Sequence, residues 1–334
     1  MTDTSIYYDG SQLLSYNRLL NFVVGNRGCG KTFYFKDWCI RDFKKNGKQF
    51  VWVRRYKTET KLMGAFFDDI VFKYPDDSFV VKGNKAYINN KLAGYFISLS
   101  IANTYKSVPF PNVNKIIYDE FIINKANIRY LQNECTEFLD LFNTVARLRD
   151  DVRAVFIANS VTVNNPYFSY FKVQPKPNAR FTKFKDICIE YSADEAYIDA
   201  VYDTKFGRMI SNTKYGDYAV ENKFLLDNDE GVIGKKPENS LYQYTLCFNG
   251  KYYGVYYNHM YSIAYIDERK TLRGGLAVAV TTDDLQLNTY LAKSQYMRNS
   301  INTLKELFSL GRTRYSSIKV KSVMYDIMRQ LNVK

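Results

Sequence analysis

Eight residues, Gly25-Asn26-Arg27-Gly28-Cys29-Gly30-Lys31-Thr32, restrict the fold of this chain more than any other stretch. They fit the phosphate-binding spacing G-x-x-x-x-G-K-[ST], which has meaning only between a buried strand and the start of a helix. Both flanks are present. Leu19 to Val24 (LLNFVV) is a short apolar run, and Lys31 to Asn46 carries helical periodicity through Phe35, Trp38, Cys39 and Phe43 before Gly47 closes it. In such a loop, backbone N–H groups turn around a β-phosphate, Lys31 places a point charge on the β and γ oxygens, and the Thr32 hydroxyl is a magnesium ligand.

The alternation continues. Gln49 to Val53 (QFVWV) reads as a second buried strand, and Thr58 to Tyr74 as an amphipathic helix ended by Pro75. From Phe79 to Leu99 three short β-rich runs, FVVK, KAYIN and AGYFISL, are separated by Gly83-Asn84 and Asn89-Asn90, the pattern of an inserted antiparallel meander. Val113 to Tyr118, a helix over about 134–147, and Arg153 to Ala158 resume the α/β pattern. Right-handed crossovers then give a three-layer domain with a mainly parallel central sheet.

Between about 200 and 240 the chain is rich in Gly, Asn, Asp and Lys. We therefore divide it into a phosphate-loop domain over 1–198, a linker over 199–238 and a smaller basic α+β domain over 239–334. The last contains a hairpin (LYQYTLCF, turn Asn249-Gly250, KYYGVYY), strands YSIAYI and GLAVAVTT, and helices that begin from an N-cap at Thr282 or Asp283.

The apolar strand Lys115 to Asp119 ends in two adjacent carboxylates, Asp119 and Glu120. On a strand these point to opposite faces, so Asp119 can hold the magnesium while Glu120 reaches an attacking water as general base. Asn159 ends the strand RAVFIA at the same rim, either sensing a γ-phosphate or closing a turn. Arg147 and Arg149, at the end of the helix from Glu134, either complement its dipole or act as an arginine finger in a neighbouring subunit. Arg54, Arg55 and Lys57, and also Lys125 and Arg129, follow strand ends, where they contact nucleic-acid phosphates or face solvent.

Charge supports a polyanionic partner. Forty-seven Lys and Arg against 34 Asp and Glu leave +13, and residues 231–334 carry 15 against 7, so +8 lies in the last third. Five scattered cysteines with no CxxC and a single histidine, His259, supply too few parts for zinc fingers or His-based triads. No N-K-x-D guanine-reading motif occurs, which disfavours a GTPase and favours ATP. No stretch approaches 18 uninterrupted apolar residues, so no membrane partner is expected.

The segments LSYNRLLNFVVGNRGCGKT, QFVWVRRYK, VVKGNKAYINNKLAGY, PNVNKIIYDEFI and ANSVTVNNPYF, with TKFGRMI, KYGDYAVENKF and TTDDL further on, resemble the genome-packaging ATPases of phi29-like tailed phages. That resemblance implies a ring-forming ATPase of the class with an additional strand and a catalytic glutamate, assembled as a homopentamer at the portal vertex of an empty capsid. It would move double-stranded DNA inward, working in the host cytoplasm and leaving before the virion matures. By position it makes Lys31 and Thr32 nucleotide ligands, Asp119 the metal ligand, Glu120 the base, Arg147 the trans-acting finger and Lys106 a second trans-acting cation. It also implies a C-terminal domain like a degenerate ribonuclease-H-type nuclease that docks on the portal connector and a structural packaging RNA. Nuclease activity is not expected, because the first strands of this domain, LYQYTLCF and KYYGVYY, carry no carboxylate; Asp267, Glu268, Asp283 and Asp284 remain, and two of these read better as a helix N-cap. The alternative is a nucleotide-binding clamp or assembly factor that does not translocate.

Overall fold

A computed structural model of the protein describes residues 6–123, 130–159, 165–176, 179–192, 195–211, 213, 216, 220, 231–272 and 275–333. Two compact units divide the chain, Met1–Leu225 and Leu226–Lys334. Helical structure extends into the segment expected as a linker, through Glu195–Tyr202 and Lys205–Ile210.

The first unit is built on β1 (Leu20–Gly25), β2 (Gln49–Arg54), β3 (Phe79–Lys82), β4 (Lys85–Ile88), β5 (Lys91–Ser98), β6 (Val113–Asp119), β7 (Arg153–Asn159), β8 (Phe181–Lys183) and β9 (Ile187–Ser192). They form one sheet in the order β3-β4-β5-β2-β6-β7-β1-β9-β8. The six strands from β5 to β9 are mutually parallel. Helices are α1 (Ser11–Ser15), α2 (Lys31–Asn46), α3 (Lys57–Thr60), α4 (Glu134–Ala146), α5 (Pro166–Phe171), α6 (Glu195–Tyr202) and α7 (Lys205–Ile210), the last lying wholly within 199–238.

Alternation along the central strands makes the three layers. Val23, Trp52, Ile117, Val155 and Ile157 point to the face covered by Phe35, Cys39 and Ile40 of α2. Phe22, Tyr118 and Phe156 point the other way, against Phe138 of α4 and Tyr167 and Phe168 of α5. Burial on both faces explains why these strands read as continuous apolar runs. Phe22 and Phe156 stack with centroids 4.3 Å apart. Phe156→Ala should therefore destabilise the first unit by about 3–5 kcal/mol, seen as an earlier urea midpoint for that unit's transition.

The expected antiparallel meander is present as β3, β4 and β5, and its third run also pairs parallel to β2 and so continues the sheet. The expectation for 58–74 is revised: it is not one helix. After α3 the chain makes short 3-10 turns at Lys61–Ala65 and Val71–Lys73. A continuous helix would place Leu62 on the same face as Phe66 and Ile70, yet Leu62 is 76% exposed while Phe66 and Ile70 are buried. The turns instead let Phe66 meet Phe50, Trp52, Phe67 and Phe96 together. That aromatic cluster overrides the periodicity.

The second unit has β10 (Leu241–Phe248), β11 (Lys251–Asn258), β12 (Ile263–Arg269), β13 (Ala277–Ala279), β14 (Thr289–Leu291) and β15 (Thr313–Tyr315), in the order β14-β13-β10-β11-β12-β15. β10, β11 and β12 are antiparallel, and the flanking strands add in parallel. The expected β10–β11 turn is present, with Asn249 and Gly250 both at positive φ. Helices α8 (Arg298–Ser309) and α9 (Ile318–Gln330) share its core through Ile301, Leu304, Met324 and Ile327. The anticipated cap falls one residue earlier, at Thr281, whose side chain is boxed with Asp284 around a single 3-10 turn rather than a helix. Among the described residues no helix is long and apolar enough to cross a membrane.

Candidate active site

Because β1, β2, β6 and β7 are parallel, their carboxyl ends deliver Gly25, Arg54, Asp119 and Asn159 to one rim of the sheet. Gly25 leads into the loop where β1 meets β9. A Cβ there would lie 2.6 Å from the Ser192 carbonyl oxygen, so no larger residue fits without moving the backbone. Gly28 and Gly30 adopt φ of 82° and 95°, and Gly30 forms the cap of α2. The loop is braced from outside, with the Tyr8 N–H donating to the Cys29 carbonyl at 2.8 Å and the Tyr197 hydroxyl to the Arg27 carbonyl at 2.9 Å. Asn26 donates its amide to the Val220 carbonyl, while its own Oδ1 is buried without a partner among the described residues.

Lys31 is only 6% exposed. Its ammonium donates to the carbonyls of Gly25 at 3.1 Å and Asn26 at 2.5 Å, and to Asn159 Oδ1 at 3.4 Å. Burial lowers its pKa, with Cys29 and Asp119 opposing. Among the described residues its hydrogen bonds go to two backbone carbonyls, the Cys29 sulfur and the Asn159 amide oxygen and to no carboxylate, so a buried cation is held beside the loop. That arrangement fits a triphosphate. Thr32 follows on the first turn of α2.

On the other side of Asn159, Arg54 bridges both carboxylates, with Nη1 3.0 Å from Asp119 Oδ2 and Nη2 2.8 Å from Glu120 Oε2. The sequence reading sent the two acids to opposite faces. They converge because β6 ends at Asp119 and Glu120 turns into the left-handed region, φ 58°. Burial raises the Asp119 pKa, Glu120 adds to the rise and Arg54 opposes it. Arg54 itself is held further toward its charged form by Asp119 and Glu120, against the effect of its burial.

Neither arginine of the Arg54-Arg55 pair is therefore a free phosphate contact. Arg55 is 2% exposed and forms a two-pronged ion pair with Glu134, Nε to Oε2 at 2.8 Å and Nη2 to Oε1 at 3.0 Å. Its partner Glu134, at the start of α4, gave no sign in the sequence. Lys57 is exposed on α3, and Lys125 and Arg129 lie outside the described residues.

Of the two finger candidates, Arg149 is occupied with backbone. Its guanidinium donates to the carbonyls of Phe110, Pro111, Val113 and Val145 at 2.7–3.1 Å. Arg147 is exposed at the end of α4 with φ 50°, followed by Leu148, which is fully exposed. Lys106 pairs with Asp140 at 3.2 Å, and these residues with Asn143, Thr144, Arg147 and Leu148 line an open depression of about 450 Å³. Lys106 and Arg147 thus share one surface of the unit. Nothing in the local sequence pointed to Lys106.

β7 lies between the loop-bearing β1 and the carboxylate-bearing β6, the additional strand that the resemblance implied. With Lys31 beneath the loop, this fold and site define a phosphate-loop ATPase. The chain belongs to the podovirus DNA encapsidation protein (Gp16) family, whose model matches residues 2–333. It is 36% identical over 331 residues to the DNA packaging protein of Bacillus phage phi29, covering 99% of each chain. It is also similar to a chain of the phi29 viral genome packaging motor assembly, with a TM-score of 0.73 and 36% identity over 98% of this chain and 100% of that one. The N-terminal domain of the phi29 DNA packaging ATPase matches 57% of this chain and 98% of its own length, with 44% identity and a TM-score of 0.55.

Proposed function

We propose that this protein hydrolyses ATP to drive double-stranded DNA into a preformed viral capsid. The observation that carries the reading is the convergence on one sheet rim of buried Lys31, Asn159 and the Asp119–Glu120 pair, in a member of a DNA-encapsidation family.

The loop from Gly25 to Thr32 would hold the triphosphate, with Thr32 and Asp119 as ligands for magnesium. The metal, when bound, would neutralise charge on the phosphate oxygens. Glu120, once parted from Arg54, would orient and deprotonate the attacking water, and Asn159 sits between base and lysine as a γ-phosphate sensor. Arg147 and Lys106 face away on a shared surface, which suits cations offered to the next subunit of a ring, a pentamer by the family resemblance. Lys57 remains the described candidate for a DNA phosphate contact, together with Lys125 and Arg129. The basic second unit is the portion suited to the portal connector and a structural RNA. We read that unit as without nuclease chemistry: Glu268 pairs with Lys319 at 2.9 Å and Asp284 accepts from the Thr281 hydroxyl at 2.7 Å, so two of its four candidate acids serve local structure.

The direct test is ATP turnover with and without double-stranded DNA in the presence of capsids. DNA should raise the rate, and a protein that binds ATP without multiple turnovers would be a clamp instead. Stimulation should also weaken with salt, each neutralised phosphate contributing about −0.9 to the log–log slope. Lys57→Ala should make the slope about one unit shallower; an unchanged slope would remove Lys57 from the DNA surface.

A further inference from the structure

The pair formed by Arg55 and Glu134 lies directly behind Glu120. Arg55 donates from Nη2 to the Phe121 carbonyl at 2.8 Å and from Nη1 to the Glu120 carbonyl at 3.2 Å. Its guanidinium lies 5.6 Å from the ring centre of Tyr118 and 5.0 Å from that of Tyr130. Glu134 accepts from the hydroxyls of Tyr118 at 2.8 Å and Tyr167 at 3.0 Å, and from the Leu131 N–H at 2.9 Å. Both charged side chains are almost wholly buried, at 3% and 1% exposure. A buried ion pair is an inefficient source of stability, since well-packed apolar residues would serve as well or better. A left-handed φ at a non-glycine residue persists only where its surroundings over-determine it.

We propose that the Arg55–Glu134 pair is a positioning device for Glu120. It fixes the Glu120–Phe121 peptides from behind, so that the left-handed turn presents the Glu120 carboxylate at the rim beside Asp119 and Asn159. It also ties the residues just past β6 to the start of α4, through the Glu120 and Phe121 carbonyls on one side and the Leu131 N–H on the other. The inference rests on the reading of Glu120 as the base. Arg55 and Glu134 themselves touch no reacting atom, and their effect passes entirely through Glu120.

The test is a double-mutant cycle on the full-length protein, with single-turnover ATP hydrolysis and binding of a non-hydrolysable ATP analogue as readouts. Arg55→Lys keeps the charge but loses the fork that reaches Glu134 and two carbonyls at once. Its rate should fall about 10- to 100-fold, with analogue affinity within about twofold of the parent. In a Glu120→Gln background the same change should alter the residual rate by less than about twofold, because the two act through one group. Glu134→Gln, which preserves shape, repeats the cycle if Arg55→Lys does not fold. Equal losses in both backgrounds, a loss confined to analogue affinity, or a parental rate in a folded variant would overturn the proposal. Glu120→Gln alone reports on the base assignment, so failure of that reading is distinguished from failure of this one.

Discussion

Replacing Glu120 by Gln should reduce ATP turnover by about 10²–10⁴-fold while leaving nucleotide affinity within a few fold. The amide keeps the size and the exposed position of the side chain but cannot take a proton. Lys31→Ala should act at the other end of the site. It removes a cation buried against the loop, which among the described residues hydrogen-bonds to Gly25, Asn26, Cys29 and Asn159, so ATP binding itself should fail. The two defects separate by titrating a fluorescent ATP analogue against each variant. A Glu120→Gln protein that turns over ATP at the parental rate would discard the assignment of the base. Arg54 adds a control: it engages the same carboxylate, so Arg54→Ala should perturb the Glu120 parent far more than the Gln variant.

The second large effect is expected between subunits. Arg147→Ala should lower hydrolysis by about 10³-fold or more, the range of a missing arginine finger. Mixed with Glu120→Gln subunits, which lack the base but retain Arg147, the inactive protein should regain measurable turnover. Interfaces would form in which an intact loop and Glu120 on one subunit face Arg147 on the next. A mixture no more active than its components would place Arg147 outside the shared site. Arg149→Ala should behave differently: its guanidinium pins Phe110, Pro111, Val113 and Val145 backbone, so its loss should lower stability and not be rescued by mixing.

What could be read in the sequence follows from how local the physics is. The phosphate loop is a local device, in which glycines with positive φ and a lysine at fixed spacing sit between a strand and a helix. Strand ends were legible because fully buried parallel strands are short apolar runs, and topology then brings their carboxyl ends together. Arg54 and Arg55 show where that reading stops. Their place after a strand was evident, but their partners Asp119, Glu120 and Glu134 are 65 to 79 residues away, and only the assembled sheet selects an inward and a rim-facing arginine. The segment 58–74 misled for a related reason. Its apolar spacing is helical, yet it is spent on an aromatic cluster with β2 and β5 that a straight helix could not reach. The local sequence does not single out Lys106; folding sets it beside Asp140 and Arg147.

Helix α4 begins at Glu134 and ends where Arg147 caps it. Thirteen residues at a rise of 1.5 Å make a rod about 20 Å long. Its first residue grips the peptide behind a subunit's own Glu120 through Arg55, and Arg149 anchors the backbone just past its end. Arg147, if offered to the next subunit, and the peptide that carries Glu120 would thus be linked through the same strut. Any tilt of that strut that shifts one shifts the other, which would give a ring a mechanical means of keeping successive sites in phase.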